Sequence, residues 1–137
     1  LANSKGKTMN EALEVEVEET PESILRASLE AIEESNAAAQ IRIDRGNALT
    51  ALIEDPNFKL VITDNYLEGE MNRLAGVITD PEEFSKEIRD QFHGMLDSIR
   101  DLKQYFRMTM LEGNEAMGVL TDNEAYRQQL QSDFNGE

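Results

Sequence analysis

From Thr20 onward the apolar positions recur at helical spacing. Leu25, Leu29, Ile32, Asn36, Ala39, Ile43, Gly46, Thr50 and Ile53 follow one another at intervals alternating four and three. That alternation keeps one stripe of a helix turned toward a partner helix. Thr20 suits the N-cap, Pro21 the first helical position and Glu22 the first turn, so a helix is predicted over residues 21–54. Asp55-Pro56 ends it, and Asp80-Pro81 repeats the same start signal. A second long helix is predicted over residues 81–118, on the seam Phe84, Ile88, Phe92, Met95, Ile99, Leu102 and Phe106. Past Phe106 the seam softens to Thr109, Gly113 and Ala116. Between the two, a short segment and a helix over residues 65–77, capped by Asp64, make a compact tip. Thr121-Asp122 then caps a short C-terminal helix carrying Ala125, Tyr126 and Leu130, with Phe134 alone in a fraying end.

Residues 1–20 read differently. Leu13-Glu14-Val15-Glu16-Val17-Glu18-Glu19 alternates apolar and acidic residues, a period of two that places Leu13, Val15 and Val17 on one face of an extended chain. Two readings stay open: a flexible acidic arm, or an arm that adds a strand to a partner's sheet edge. The expected fold is all-α. An extended acidic arm (1–20) leads into an antiparallel, coiled-coil-like helical hairpin (21–118) with its tip at 55–80, then a short C-terminal helix and tail (119–137).

The antiparallel sense follows from length. A helix of about 34 residues spans on the order of 50 Å, too far for a link of about 25 residues that folds as a compact helical tip to retrace comfortably. Folding about the tip brings Glu30, Glu33 and Glu34 toward Arg100, Lys103 and Arg107, and Arg42 and Arg45 toward Asp90 and Asp97. It also sets small Ala39 and Gly46 across from bulky Phe92, Met95 and Ile99. Asn36 is the clearest hydrogen-bonding residue in the seam, read as a register device satisfied locally or by water, the alternative being a hydrogen-bonding contact to a third chain. Ile24, Ile41, Leu49, Leu52, Leu96 and Met110 fall off the seam, and Ile24 and Ile41 lie farthest from the tip. Two helices bury little area for a small domain. Either the C-terminal segment folds back over this surplus or another chain covers it; another chain is the favoured expectation, in the simplest case a homo-oligomer.

Charge narrows the partners. The 137 residues hold 28 acidic and 13 basic side chains, a net charge of −15, which disfavours direct nucleic-acid binding. No apolar run approaches the roughly 20 residues of a bilayer span. The opening Leu-Ala-Asn-Ser-Lys-Gly-Lys has no apolar stretch behind its lysines and does not read as a signal peptide. Because it lacks an initial Met, a trimmed or processed start is expected.

The search for chemistry returns no catalytic residue, metal site or cofactor site. With no Cys and the single His93, neither a thiol nucleophile nor a pair of His ligands is available within this chain. Gly6-Lys7-Thr8 matches the end of a phosphate-binding loop, but Leu1 stands where its first Gly belongs. Asp64-Asn65 and Asp122-Asn123 lack the ligand series of a calcium loop. The protein is therefore read as no enzyme.

The most distinctive block runs from Asp55 to Leu74. Phe58, Tyr66, Leu67 and Leu74 can pack together and close the hairpin, or form an aromatic cluster facing a partner with Arg73 at its rim. Together with Leu13, Val15, Val17, Ile24 and Ile41, these five are the candidate protein-binding residues. At this block the chain resembles small proteins encoded among the structural and assembly genes of tailed bacteriophages. The resemblance covers roughly residues 41–130 and rests on Pro56, Phe58, Tyr66, Glu70, Arg73-Leu74 and Gly113-Asn114-Glu115-Ala116. It implies a virion or assembly accessory role, docking on capsid or tail proteins, first in the host cytoplasm and then in the virion. It implies no active site. Two other readings compete: an acidic inhibitor or DNA mimic on a basic host enzyme, suggested by the charge, and a prefoldin-like holdase, suggested by a hairpin with free ends.

Overall fold

The computed structural model describes residues 19–136, and among them every regular element is helical. The order is α1 (Pro21–Glu54), α2 (Pro56–Phe58), a π-helical segment (Lys59–Glu70), α3 (Met71–Ile78) and α4 (Lys86–Asn135). The all-α expectation is met. Most of the expected arm, with Leu13, Val15 and Val17, lies outside the described residues. The described chain forms two compact units, residues 37–120 and residues 19–36 with 121–136.

The helix starts follow local hydrogen bonding. At the head of α1, Ser23 N–H donates to Thr20 Oγ1 (3.0 Å) and Thr20 N–H donates back to Ser23 Oγ (2.8 Å). This reciprocal cap satisfies amides that the first turn leaves open. Asp55 caps α2 by accepting from the N–H groups of Asn57 (2.9 Å) and Phe58 (3.0 Å). The second Asp-Pro behaves differently. Asp80 Oδ1 accepts from Glu83 N–H at 3.2 Å and its carbonyl accepts from Phe84 N–H at 3.3 Å, closing a turn, while Ser85 Oγ accepts from Ile88 N–H at 3.3 Å and opens α4. The second long helix therefore begins at Lys86, not Pro81.

Two other boundaries also differ from expectation. α4 runs 50 residues without a break, so the C-terminal helix is not separate. Its half-buried positions Asn123, Arg127 and Leu130 continue the three-and-four spacing through Thr121-Asp122. That periodicity outweighs the cap signal. Nor does a helix start at Asn65: Asp64 and Asn65 lie inside the twelve-residue π segment, an uncommon length for i→i+5 bonding.

In the unit of residues 37–120, neighbours across the α1–α4 contact descend on one helix as they rise on the other. Ala39 and Ile43 cluster with Ala116, and Thr50 Oγ1 lies 3.4 Å from Met110 Sδ. Gly46 and Gly113 meet backbone to backbone, since a Cβ built on Gly46 would sit 3.5 Å from Gly113 Cα. Small residues thus face small residues. The expected match of Ala39 and Gly46 with Phe92, Met95 and Ile99 is replaced, because those bulkier positions lie nearer the start of α4. The expected pairing of Arg45 with Asp97 falls with it. Arg45 precedes the glycine that meets Gly113, far from Asp97, and Arg100 instead pairs with Asp97 three residues away, at 3.9 Å.

The bulky residues of α4 pack a second cluster. Leu67, Leu74 and Ile99 are buried, with Ile62, Tyr66, Met71, Phe92, Leu102 and Phe106 packed around them. The π segment and α3 therefore lie on the first half of α4. Leu49 and Leu96, expected off the seam, are buried, whereas Thr50, Ile88 and Met95 are exposed. Both choices satisfy the period: 46–49–53 and 46–50–53 each alternate three and four, as do 92–95–99 and 92–96–99.

In the other unit Ile32 is the buried apolar residue, with Leu25 and Leu29 half-buried. Asn123 Nδ2 donates to Asn36 Oδ1 (2.8 Å) and to Ser35 Oγ (3.0 Å). Asn36 is thus satisfied across the helix pair.

The glycine contact yields a paired prediction. A Cβ on Gly113 would lie 3.3 Å from the Arg42 carbonyl oxygen, whereas one on Gly46 meets nothing nearer than 3.5 Å. Replacing Gly by Ala in a helix gains about 1 kcal/mol, and overpacking costs about 1–3 kcal/mol. Gly113→Ala is expected to lower stability by up to about 2 kcal/mol, and Gly46→Ala to leave it level or raise it by up to about 1 kcal/mol. Chemical denaturation of both variants checks the contrast.

Candidate protein-binding surfaces

The structure divides the candidate residues between interior and surface. Leu67 (7% exposed) and Leu74 (1%) are core residues of the chain itself, which corrects their assignment as partner contacts. Phe58 and Tyr66 are half-buried, and the Phe58 ring lies 6.0 Å from that of Phe106, tilted by 50°. The tip aromatics therefore close the fold. Ile24 and Ile41 do face outward, at 51% and 58% exposure.

Arg73 sits at a junction. Its Nη2 donates to Glu70 Oε2 at 2.8 Å and its Nε lies 3.2 Å from both carboxylate oxygens. The guanidinium also lies over the Phe92 ring, 5.8 Å from its centroid. The planar group thus joins the π segment, α3 and α4, a combination that guanidinium geometry favours. Hydrogen bonding from Arg73 holds the Glu70 carboxyl below the ordinary glutamate value; desolvation opposes it, and the charge of Arg73 adds a smaller lowering. Glu70 in turn raises the Arg73 pKa.

Two outward surfaces stand out. Along α1 in the unit of residues 37–120, Ala38, Ile41, Ala48 and Leu52 occupy one exposed face, interrupted by Arg45, at intervals of three and four. This is a second apolar stripe on a helix whose first stripe is already buried. Leu60 and Val61, at 69% and 57% exposure, add apolar surface where the π segment begins.

The other surface lies in the unit of residues 19–36 and 121–136. An open groove of about 630 Å³ has Leu25, Leu29 and Phe134 as its apolar lining. Glu22, Glu30 and Glu33 flank it, with Arg26 as the basic residue of the wall. Phe134, taken from sequence as isolated, is 47% exposed on the continuous α4. A separate depression of about 280 Å³ in this unit is lined by Ile32, Ser28, Ser35, Asn123 and Tyr126, with Ala31, and bears no charge. Sequence reasoning missed the acidic groove because it ended the helix before Phe134. The signal was present, since Leu130 and Phe134 extend the seam by four.

Among the described residues no cluster of His, Asp and Glu has a metal-holding arrangement, and no helix is long and apolar enough to cross a membrane. His93 is exposed on α4. No family model, curated protein or solved structure matches the chain.

The ion pair gives a pH prediction. A carboxyl held below its unfolded value contributes stability that is present above the ordinary glutamate range and is lost as pH falls through the folded value. Arg73→Ala is expected to move the Glu70 midpoint up toward that of an unpaired glutamate, read from its side-chain carboxyl carbon by NMR. An unchanged midpoint would mean that Arg73 does not act on it.

Proposed function

We propose that the protein is a non-enzymatic, protein-binding component of a tailed bacteriophage, docking on capsid or tail proteins in the virion or during its assembly in the host cytoplasm. In this reading α1 and α4 form an antiparallel, coiled-coil-like hairpin that serves as the scaffold. The observation that carries it is the outward stripe Ala38–Ile41–Ala48–Leu52, with Ile41 at 58% and Leu52 at 46% exposure. A lone exposed Leu is ordinary on a protein surface, but a repeated heptad stripe is the form in which a helix presents itself to another helix.

The residues behind the phage resemblance support the reading through the fold. Glu70 and Arg73 form the ion pair, Leu74 is core, and Gly113 and Ala116 lie at the α1–α4 contact. A second reading, the acidic inhibitor or DNA mimic on a basic host enzyme, is favoured by the −15 charge. Salt separates the two, because exposed charges are screened within about 8–10 Å at physiological ionic strength. Binding through the stripe survives high salt, and binding by charge mimicry collapses.

Mass spectrometry of purified particles and their precursors tests the assignment, with the protein expected in fixed stoichiometry. Ile41→Asp combined with Leu52→Asp is expected to leave helicity unchanged and to weaken particle association by about tenfold or more. Absence from both particles and precursors would overturn the phage role.

A further inference from the structure

We infer that the acidic groove of residues 19–36 and 121–136 receives a basic amphipathic helix from the partner protein. The inference rests on the protein-binding reading and adds the chemistry of the partner. The groove combines the apolar lining of Leu25, Leu29 and Phe134 with three carboxylates, Glu22, Glu30 and Glu33, against the single cation Arg26, so its charge is net acidic. Leu25 and Leu29 are half-buried, and the Phe134 ring is left 47% exposed beside them. Glu22, Glu30 and Glu33 project from the same stripe of α1, at helical spacings that bracket the leucines.

Length sets the size of the ligand. From Glu22 to Glu33 the stripe spans about three turns, roughly 17 Å. A partner helix of that length offers apolar side chains at i, i+3 or i+4, and i+7, the usual anchors of a helix seated in a groove. Its flanks meet carboxylates, so Lys or Arg is the complementary choice. A second copy of this chain is disfavoured as occupant, because it brings another −15 charges to an already acidic groove. Nucleic acid is excluded on the same ground.

The test uses the full chain and a fluorescein-labelled synthetic helical peptide of about 15 residues, a few turns long, with Leu at three-and-four spacing and Lys on both flanks. Two companions serve as controls: the same Leu pattern with Glu flanks, and the Lys peptide with its Leu positions scrambled. By anisotropy the first is expected to bind saturably and about tenfold or more tighter than either control. Glu30→Lys with Glu33→Lys is expected to weaken it about tenfold, and Phe134→Ala to weaken it as well, with circular dichroism unchanged. Amide shifts at Leu25, Leu29 and Phe134 locate the site. Equal binding of the scrambled Lys peptide would reduce the effect to general charge attraction and overturn the inference, as would absence of binding. A dimer by light scattering that tightens in the Glu30→Lys, Glu33→Lys variant would assign the groove to a second copy and overturn it too. The Ile41→Asp, Leu52→Asp variant is expected to bind the peptide as the parent does. A groove that fails with the peptide while particle association persists refutes only this inference, and the reverse result refutes only the phage reading.

Discussion

In the unit of residues 37–120, the approach of Gly46 to Gly113 is the contact on which the rest is arranged. Two helices carrying side chains at their contact keep their axes about 8–10 Å apart. Where glycines face one another, backbone meets backbone, and the alignment is set by where the small residues are. Ala39 and Ala116, buried at 1% and 0% exposure, extend the same narrow contact, by about two turns on α1 and about one on α4. The small stretch of α4 is thereby committed to α1. The bulky stretch, from Phe92 to Phe106, is left for another layer.

That second layer is why the tip exists. Ile99 is fully buried, yet its partners come from the π segment and α3 through Leu67 and Leu74. The aromatic rings that might have advertised a docking site are used here: Phe58 against Phe106, and Phe92 beneath the Arg73 guanidinium. The exposed apolar residues include the aliphatic Ile41 and Leu52 on α1 and, on α4, the aromatic Tyr105, Tyr126 and Phe134.

Much of this was legible in the residues themselves. The α1 seam from Leu25 to Gly46 and its start at Thr20-Pro21 follow directly from spacing and capping, and so does the stop at Asp55-Pro56. The errors share a cause, that several local signals were each satisfied by two structures. Thr50 and Leu49 both fit the period beside Gly46, and only packing selects Leu49. Thr121-Asp122 carries the chemistry of a cap, but a seam continuing through Asn123 and Leu130 keeps the helix intact. Asp80-Pro81 could open a helix, and Ser85 does so instead. The i→i+5 bonding of residues 59–70 leaves no mark in an apolar pattern read at 3.6 residues per turn. Charge was the least reliable guide. Exposed pairs contribute only about 0–1 kcal/mol, too little to override the fit of Gly46 on Gly113.

The amide contact between Asn36 and Asn123 has a consequence of its own. Helices with a seven-residue repeat can slide past one another by a full repeat and still match grease with grease. In the unit of residues 19–36 and 121–136, such a slip would break the hydrogen bonds of Asn123 to Asn36 and Ser35 at half-buried positions, a loss of about 0.5–1.5 kcal/mol for each bond. The amide pair thus guards the pairing by penalising the offset alternatives.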